Sequence, residues 1–263
     1  MVKPAEMDTP GDANNDPVCQ WPVPSVHPAC DRNEVHVWCR NLAVSAAERH
    51  LLEGWLSPDE IVRSQRFRFD RDRMRFIVRR ATLRVLLGNY IGAEPDVIAF
   101  TYGARGKPVL GPPFDAGIID FNVSHSNGLG LFAFTRKRPI GVDVEAIRAL
   151  DDADIIARRF FTAPENAALN SVVTSQRANA FYNCWTRKEA FVKATGEGLQ
   201  RPLDSFDVSL VPGEPARLLS SADGDVGAWS LESVTPAAGF VGAVAARGAD
   251  WMLRCWQWPQ SQL

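Results

Sequence analysis

The chain has 263 residues, 46% hydrophobic and 23% charged, enough for one large packed domain or two of about 100–130 residues each. Lys and Arg number 29 against 31 Asp and Glu, so bulk charge predicts no nucleic-acid partner, and any affinity for phosphate must come from local clusters. No run of about 18 apolar residues and no charged-then-apolar leader occurs, which excludes a membrane span by these criteria and predicts a cytoplasmic protein; the five cysteines, an odd count, are expected as reduced thiols.

Residues 1–33 are rich in Pro, Asp and Asn without apolar periodicity and read as a mobile tail or loosely packed arm. An alternating strand is predicted over 34–39 and helices over 45–90, with Ser57 as a cap and Pro58 in the first turn of one of them. Nine arginines fall between Arg63 and Arg84, and Arg71, Arg75 and Arg79 share one face. Strand patterns follow over 97–102, 119–123, 129–135 and 139–145, with a turn at 103–108. Helices are predicted over 152–161, 163–173 and 176–194, then strands over 206–210, 228–234 and 240–246. Helices followed by strands, twice, predict an α+β protein with antiparallel sheets rather than a doubly wound fold. The predicted boundaries are a tail over 1–33, halves over 34–137 and 138–255, and a second tail over 256–263.

Chemistry concentrates in four short segments. In Gly141-Val142-Asp143-Val144-Glu145 a strand turns Asp143 and Glu145 to one face, with Cα atoms about 6.7 Å apart. Two carboxylates so placed repel unless a cation joins them or water screens them, and the pair alone fits a solvated strand face equally well. In Trp185-Thr186-Arg187-Lys188-Glu189-Ala190-Phe191-Val192-Lys193 the helical period puts Lys188 inside the apolar stripe of Phe181, Cys184, Trp185, Phe191 and Val192. A lysine there is costly unless it meets an anion. Glu189 and Lys193, spaced i, i+4, line the edge of that stripe. The segment reads either as a snorkelling lysine beside a surface ion pair, or as a carboxylate held between two phosphate-binding cations. Phe121-Asn122-Val123-Ser124-His125-Ser126 brings a histidine to a strand end, and Gly106-Lys107-Pro108 puts a cation on a tight turn. The His27-x2-Cys30 and His36-x2-Cys39 spacings resemble zinc spacing but are not read as a zinc site, since His36 and Cys39, three apart on a predicted strand, face opposite sides. Neither a P-loop nor a G-x-G-x-x-G turn is present.

These segments, in this order and at these gaps, together with Pro202-Leu203-Asp204-Ser205-Phe206, resemble the Sfp-type 4′-phosphopantetheinyl transferases over about residues 35–250. The resemblance implies two similar halves related by a pseudo-twofold axis, each with helices on a small antiparallel sheet, and coenzyme A in the cleft between them. It implies Mg²⁺ held by Asp143, Glu145 and Glu189, and coenzyme contacts from Arg105, Gly106, Lys107, Pro108, Ser124, His125, Lys188 and Lys193. It also implies Arg71 or Arg75 on the adenosine phosphate. Glu189 would act on the acceptor proton and Lys193 on the spreading charge. The partners implied are acyl, peptidyl or polyketide carrier domains, and the protein is expected as a monomer. A silent coenzyme A or carrier-binding protein is the alternative of a different class, and a nucleoside-triphosphate-consuming Mg²⁺ transferase is a further one.

Overall fold

A computed structural model describes residues 17–103, 105–114, 117–149 and 151–259. Most of the predicted first tail (1–16) and the end of the second (260–263) therefore lie outside the described residues. The order is β1 (Glu34–Asn41), α1 (Ala46–Glu53), α2 (Pro58–Ser64), α3 (Asp70–Ile91), β2 (Phe100–Tyr102), β3 (Pro108–Leu110), β4 (Asp120–Ser126), β5 (Leu129–Thr135) and β6 (Ile140–Ala146). There follow α4 (Ala153–Phe160), α5 (Ala163–Ser171), α6 (Arg177–Thr195), β7 (Phe206–Val208), β8 (Leu218–Ser221), β9 (Trp229–Val234), β10 (Phe240–Arg247) and β11 (Met252–Gln257).

Two sheets form the centre, one ordered β11-β1-β5-β4 and the other β6-β10-β9. Alternation along the strands decides what lies on each face. Val35, Val37, Leu129, Leu131 and Ala133 of the first sheet meet Ile140, Val142, Val144, Val244 and Ala246 of the second in one buried cluster. On its outer face the first sheet packs Trp38, Phe121, Phe132 and Phe134 against Leu83, Leu86, Leu87 and Tyr90 of α3. The second packs Leu231, Ala243 and Ala245 against Phe181, Trp185 and Phe191 of α6. The result is four layers, helix–sheet–sheet–helix, with the sheets back to back.

Local signals account for the helix ends. The Ser57 N–H donates to Glu60 Oε2 at 3.1 Å and closes the first turn of α2, while α3 and α6 end on Gly92 and Gly196, both left-handed. Asn127 (φ 41°) and Gly128 (φ 82°) form the two-residue turn between β4 and β5, the backbone signature of an Asn-Gly hairpin. One glycine is required for a different reason. A Cβ on Gly141 would overlap the backbone of Ala190, Lys193 and Ala194, so its absence lets α6 press directly onto β6.

Three expectations are corrected. First, β11 leaves the second half and pairs parallel with β1, setting Val37 opposite Cys255 and Trp38 opposite Trp256. The first sheet is thus mixed, and the chain from 256 onward does not begin as a tail: Trp258 is buried and the Arg40 guanidinium sits 4.6 Å from its ring centre. Secondly, residues 17–33 are a packed arm. Cys19 bridges to Ala237, Gln20 N–H donates to Pro236 O, and Gln257 N–H donates to Pro22 O. Thirdly, Cys19 and Cys39 are joined by a disulfide; Cys30, Cys184 and Cys255 are the free thiols. Parity left room for this, since five thiols can include a pair. No helix among the described residues is long and apolar enough to cross a membrane.

Candidate active site

The chemistry-bearing segments meet where β4 of the first half runs beside β6 of the second. Side chains, rather than a backbone ladder, stitch this seam. Asn122 Oδ1 accepts from Val142 N–H at 2.9 Å, and Ser126 Oγ accepts from Ala146 N–H at 3.2 Å. Ser124 Oγ donates to Asp143 Oδ1 and Ser126 Oγ donates to Glu145 Oε2, each at 2.7 Å. The alternation predicted for β6 holds: Val142 and Val144 enter the inter-sheet core, leaving Asp143 and Glu145 on the other face.

Lys193 reaches this seam from the last turns of α6. Its Nζ lies 2.6 Å from Asp143 Oδ1 and 3.1 Å from both Ser124 Oγ and Val142 O. Asp143 is only 1% exposed, and its Oδ2 has no hydrogen-bond partner. Glu189 lies one turn before Lys193 on α6, on the same side of the helix by its period, at intermediate exposure. Among the described residues, no three His, Cys, Asp or Glu side chains are gathered closely enough to enclose a metal ion. The donor set nevertheless suits a hard cation. It consists of carboxylates on two packed elements, and a buried carboxylate oxygen without a donor is the kind of group a divalent ion satisfies.

Beside the seam lies a cavity of about 330 Å³. Arg63 of α2, Phe76, Arg79, Arg80 and Leu83 of α3, Pro108 of β3, Val123, Ser124 and His125 of β4, and Lys193 line it. Four cations and no acid line it, a composition that suits an anion, although Lys193 and Arg80 also pair with Asp143 and Glu60 behind the wall. Arg80 is oriented by Glu60, with Nε 3.1 Å from Oε1, and by the Tyr102 hydroxyl at 3.2 Å. A larger open groove of about 860 Å³ continues past Arg63 along Pro58, Val62, Arg66, Phe67 and Tyr102.

Several predicted contacts are not where the sequence put them. Lys188 is fully buried and cannot reach a ligand in this cavity: its Nζ lies 2.8 Å from Glu165 Oε2 and donates to the carbonyls of Leu203 and Phe206 at 2.7 and 2.6 Å. The anion its position demanded is Glu165, the acid of the capping box that starts α5. Lys107 also turns inward, donating to Ile140 O at 2.8 Å and Lys193 O at 2.9 Å, where it caps the end of α6 against the start of β6. Burial depresses its pKa to about 8, against the opposing pull of Asp120. Pro108, its neighbour, does line the cavity, and Gly106 takes the left-handed conformation (φ 78°) in the turn between β2 and β3. Arg105 lies beside Gly198 rather than on the cavity wall. Arg71 is exposed, with Nε 3.8 Å from Asp72 Oδ1 at the start of α3, and Arg75 sits against the Gly128 turn. The arginines that do line the cavity are Arg63, Arg79 and Arg80. Arg79 was legible as the third member of the Arg71–Arg75–Arg79 face; Arg63 and Arg80 depend on how α2 meets α3.

Comparison with known proteins identifies the family. Residues 44–135 match the family model for the N-terminal region of 4′-phosphopantetheinyl transferases, and residues 139–245 match that of the 4′-phosphopantetheinyl transferase superfamily. The 4′-phosphopantetheinyl transferase HetI of Nostoc sp. is 39% identical over 226 residues, which cover 86% of this chain and 93% of the relative. The 4′-phosphopantetheinyl transferase Sfp of Bacillus subtilis is 31% identical over 167 residues, 64% of this chain and 72% of Sfp. The solved holo-[acyl-carrier-protein] synthase of Thermotoga maritima aligns with 42% of this chain and 62% of its own at 19% identity and a TM-score of 0.33, too slight a likeness to bear on the site. With HetI matched over nearly its whole length and both family models present in order, the chain belongs to the 4′-phosphopantetheinyl transferase family, an enzyme that places phosphopantetheine on carrier proteins.

Proposed function

We propose that the donor is coenzyme A, that its nucleotide occupies the arginine-lined cavity, and that its diphosphate lies at the β4–β6 seam. The observation that carries this reading is the position of Lys193, which lines the cavity and also touches Asp143 and Ser124. A diphosphate there would meet a cation from α6 and carboxylates from β6 together. Arg63, Arg79 and Arg80 suit the nucleotide phosphates, since guanidinium groups match phosphate oxygens in pairs.

In the reaction, the hydroxyl of a carrier serine attacks the β-phosphorus of the diphosphate. The new P–O bond forms as the bond to the departing 3′,5′-ADP breaks, and the hydroxyl proton passes toward Glu189. Lys193 stabilises the charge that accumulates on the phosphoryl oxygens. Asp143, through its Oδ2, would hold Mg²⁺ with Glu145 and Glu189, and the ion when bound offsets negative charge on the diphosphate. Ser124 and His125 line the same wall and suit phosphate contact. Lys188 and Lys107 have structural roles in this reading, one holding α5 and the 203–206 turn to α6, the other joining the halves. A soluble monomer in the cytoplasm, where coenzyme A and carrier domains coexist, fits the reaction.

The test is to incubate the protein with coenzyme A, Mg²⁺ and purified apo-carriers of the peptidyl, acyl and polyketide types. Intact-mass spectrometry should find one phosphopantetheinyl group added to a carrier serine, with a chelator stopping the gain. Transfer unaffected by removal of divalent ions would overturn the metal assignment. Glu189→Gln should keep affinity for 3′,5′-ADP and lower turnover by about 10²-fold or more.

A further inference from the structure

We propose that Ser126 is a positioning residue of this transferase: it fixes the Glu145 carboxylate, across the seam between the halves, in the orientation a divalent cation needs. The proposal rests on the metal assignment above.

Ser126 Oγ makes two hydrogen bonds of defined direction. The Ala146 amide can only donate, so at 3.2 Å the hydroxyl oxygen is the acceptor. Its single proton is then committed to Glu145 Oε2, at 2.7 Å. Ser126 is 7% exposed, so water competes weakly for either bond. The pattern repeats two residues earlier, where Ser124 Oγ donates to Asp143 Oδ1 and accepts from Lys193 Nζ. Ser124 and Ser126 share a face of β4 by the period of a strand, as Asp143 and Glu145 do on β6. Each serine of one strand therefore holds one carboxylate of the other.

Glutamate has three side-chain torsions, and a carboxylate on the half-buried end of β6 has room to use them. The Ser126 hydroxyl holds Oε2 at 2.7 Å and so narrows the carboxylate to arrangements that keep it at the seam. Hydrogen bonds of this outer kind orient metal ligands, and losing one typically weakens metal affinity by 10–100-fold. The orienting group here belongs to the opposite half of the molecule, so metal affinity reports how well the two halves are seated.

The experiment measures Mn²⁺ binding by electron paramagnetic resonance in the presence of 3′,5′-ADP, alongside transfer activity as a function of Mg²⁺. Ser126→Ala should weaken Mn²⁺ binding about tenfold and raise the half-saturating Mg²⁺ by a similar factor. Turnover at saturating Mg²⁺ and nucleotide affinity in chelator should stay near wild type. Ser126→Thr, which keeps the hydroxyl, should recover most of the loss. A merely structural serine would instead lower saturated turnover and thermal midpoint without moving the metal dependence, and that result overturns the proposal. Asp143→Ala is the control for the underlying reading: if it binds Mn²⁺ like wild type, the metal assignment itself fails. If it loses Mn²⁺ while Ser126→Ala does not, only the positioning role fails.

Discussion

Replacing Lys188 with methionine separates two roles that the sequence alone leaves open. The ammonium is buried with three oxygen partners, Glu165 Oε2 at 2.8 Å and the carbonyls of Leu203 and Phe206, and it lies 4.4 Å from the Phe206 ring centre. Methionine fills similar volume but donates nothing, so Glu165 is left without its cation in a site where it is 2% exposed. Breaking a buried ion pair from one side costs about 3–5 kcal/mol. Glu165 retains the Thr162 and Val208 amides at 2.9 and 2.8 Å, which argues for the lower end, about 3 kcal/mol. That is a large share of the roughly 5–15 kcal/mol that holds a domain together. Urea titration should show the midpoint falling, while calorimetry on the folded variant at low temperature should find 3′,5′-ADP affinity within about twofold of wild type. Adding Glu165→Gln should return part of the loss, because a neutral amide needs no buried cation beside it. A Lys188→Met protein with wild-type midpoint and selectively weakened nucleotide binding would refute this account and return Lys188 to the coenzyme.

Other outcomes follow from the same geometry. Arg79→Ala and Arg80→Ala should each weaken 3′,5′-ADP by about 1.5–3 kcal/mol, the scale of a charged hydrogen bond, whereas Arg71→Ala should change it little, as measured by calorimetry. Below pH 8 Lys107 is charged in both the folded and unfolded states, and the folded state bears the burial cost. Between about 8 and its ordinary value of 10.5 the folded protein sheds that proton while the unfolded chain keeps it, so wild-type stability relative to Lys107→Met should rise across that window, by at most about 3 kcal/mol. A flat difference from pH 7.5 to 10.5 in chemical denaturation would contradict the burial of Lys107. Gly141→Ala should cost about 3 kcal/mol or more by forcing α6 off β6, read as a lower thermal midpoint. Alkylation of the unfolded protein without reductant should label three of the five cysteines, and all five after reduction.

Much of the architecture was legible because its signals are local. Alternation showed which face of β6 carries Asp143 and Glu145, and Ser57-Pro58 marked the start of α2. What stayed hidden depends on partners far away in sequence. Lys188 was visibly in need of an anion, but nothing local says that the anion is Glu165, 23 residues earlier and facing it from α5. Lys107 looked like an exposed turn cation, and only the meeting of β3, β6 and α6 turns it inward. The strand over 252–257 lacks clean alternation, and its parallel pairing with β1 follows from topology alone. Ser126 stood inside a noted motif without an assigned task, because its partner, Glu145, belongs to the other half.

The weave of β11 and the Cys19 arm has a practical corollary. Cutting the chain in the short link between β5 and β6 would not release two autonomous pieces. The N-terminal fragment would expose the backbone edge of β1 that β11 covers, and would lose the Pro236–Ala237 anchor of its arm. The C-terminal fragment would carry a strand whose sheet is elsewhere. Neither piece would hold both the arginine-lined cavity and the carboxylates, so catalysis would return only on reassembly. Fused to two interacting proteins, such fragments would make a reporter whose output is a covalent tag on a carrier serine.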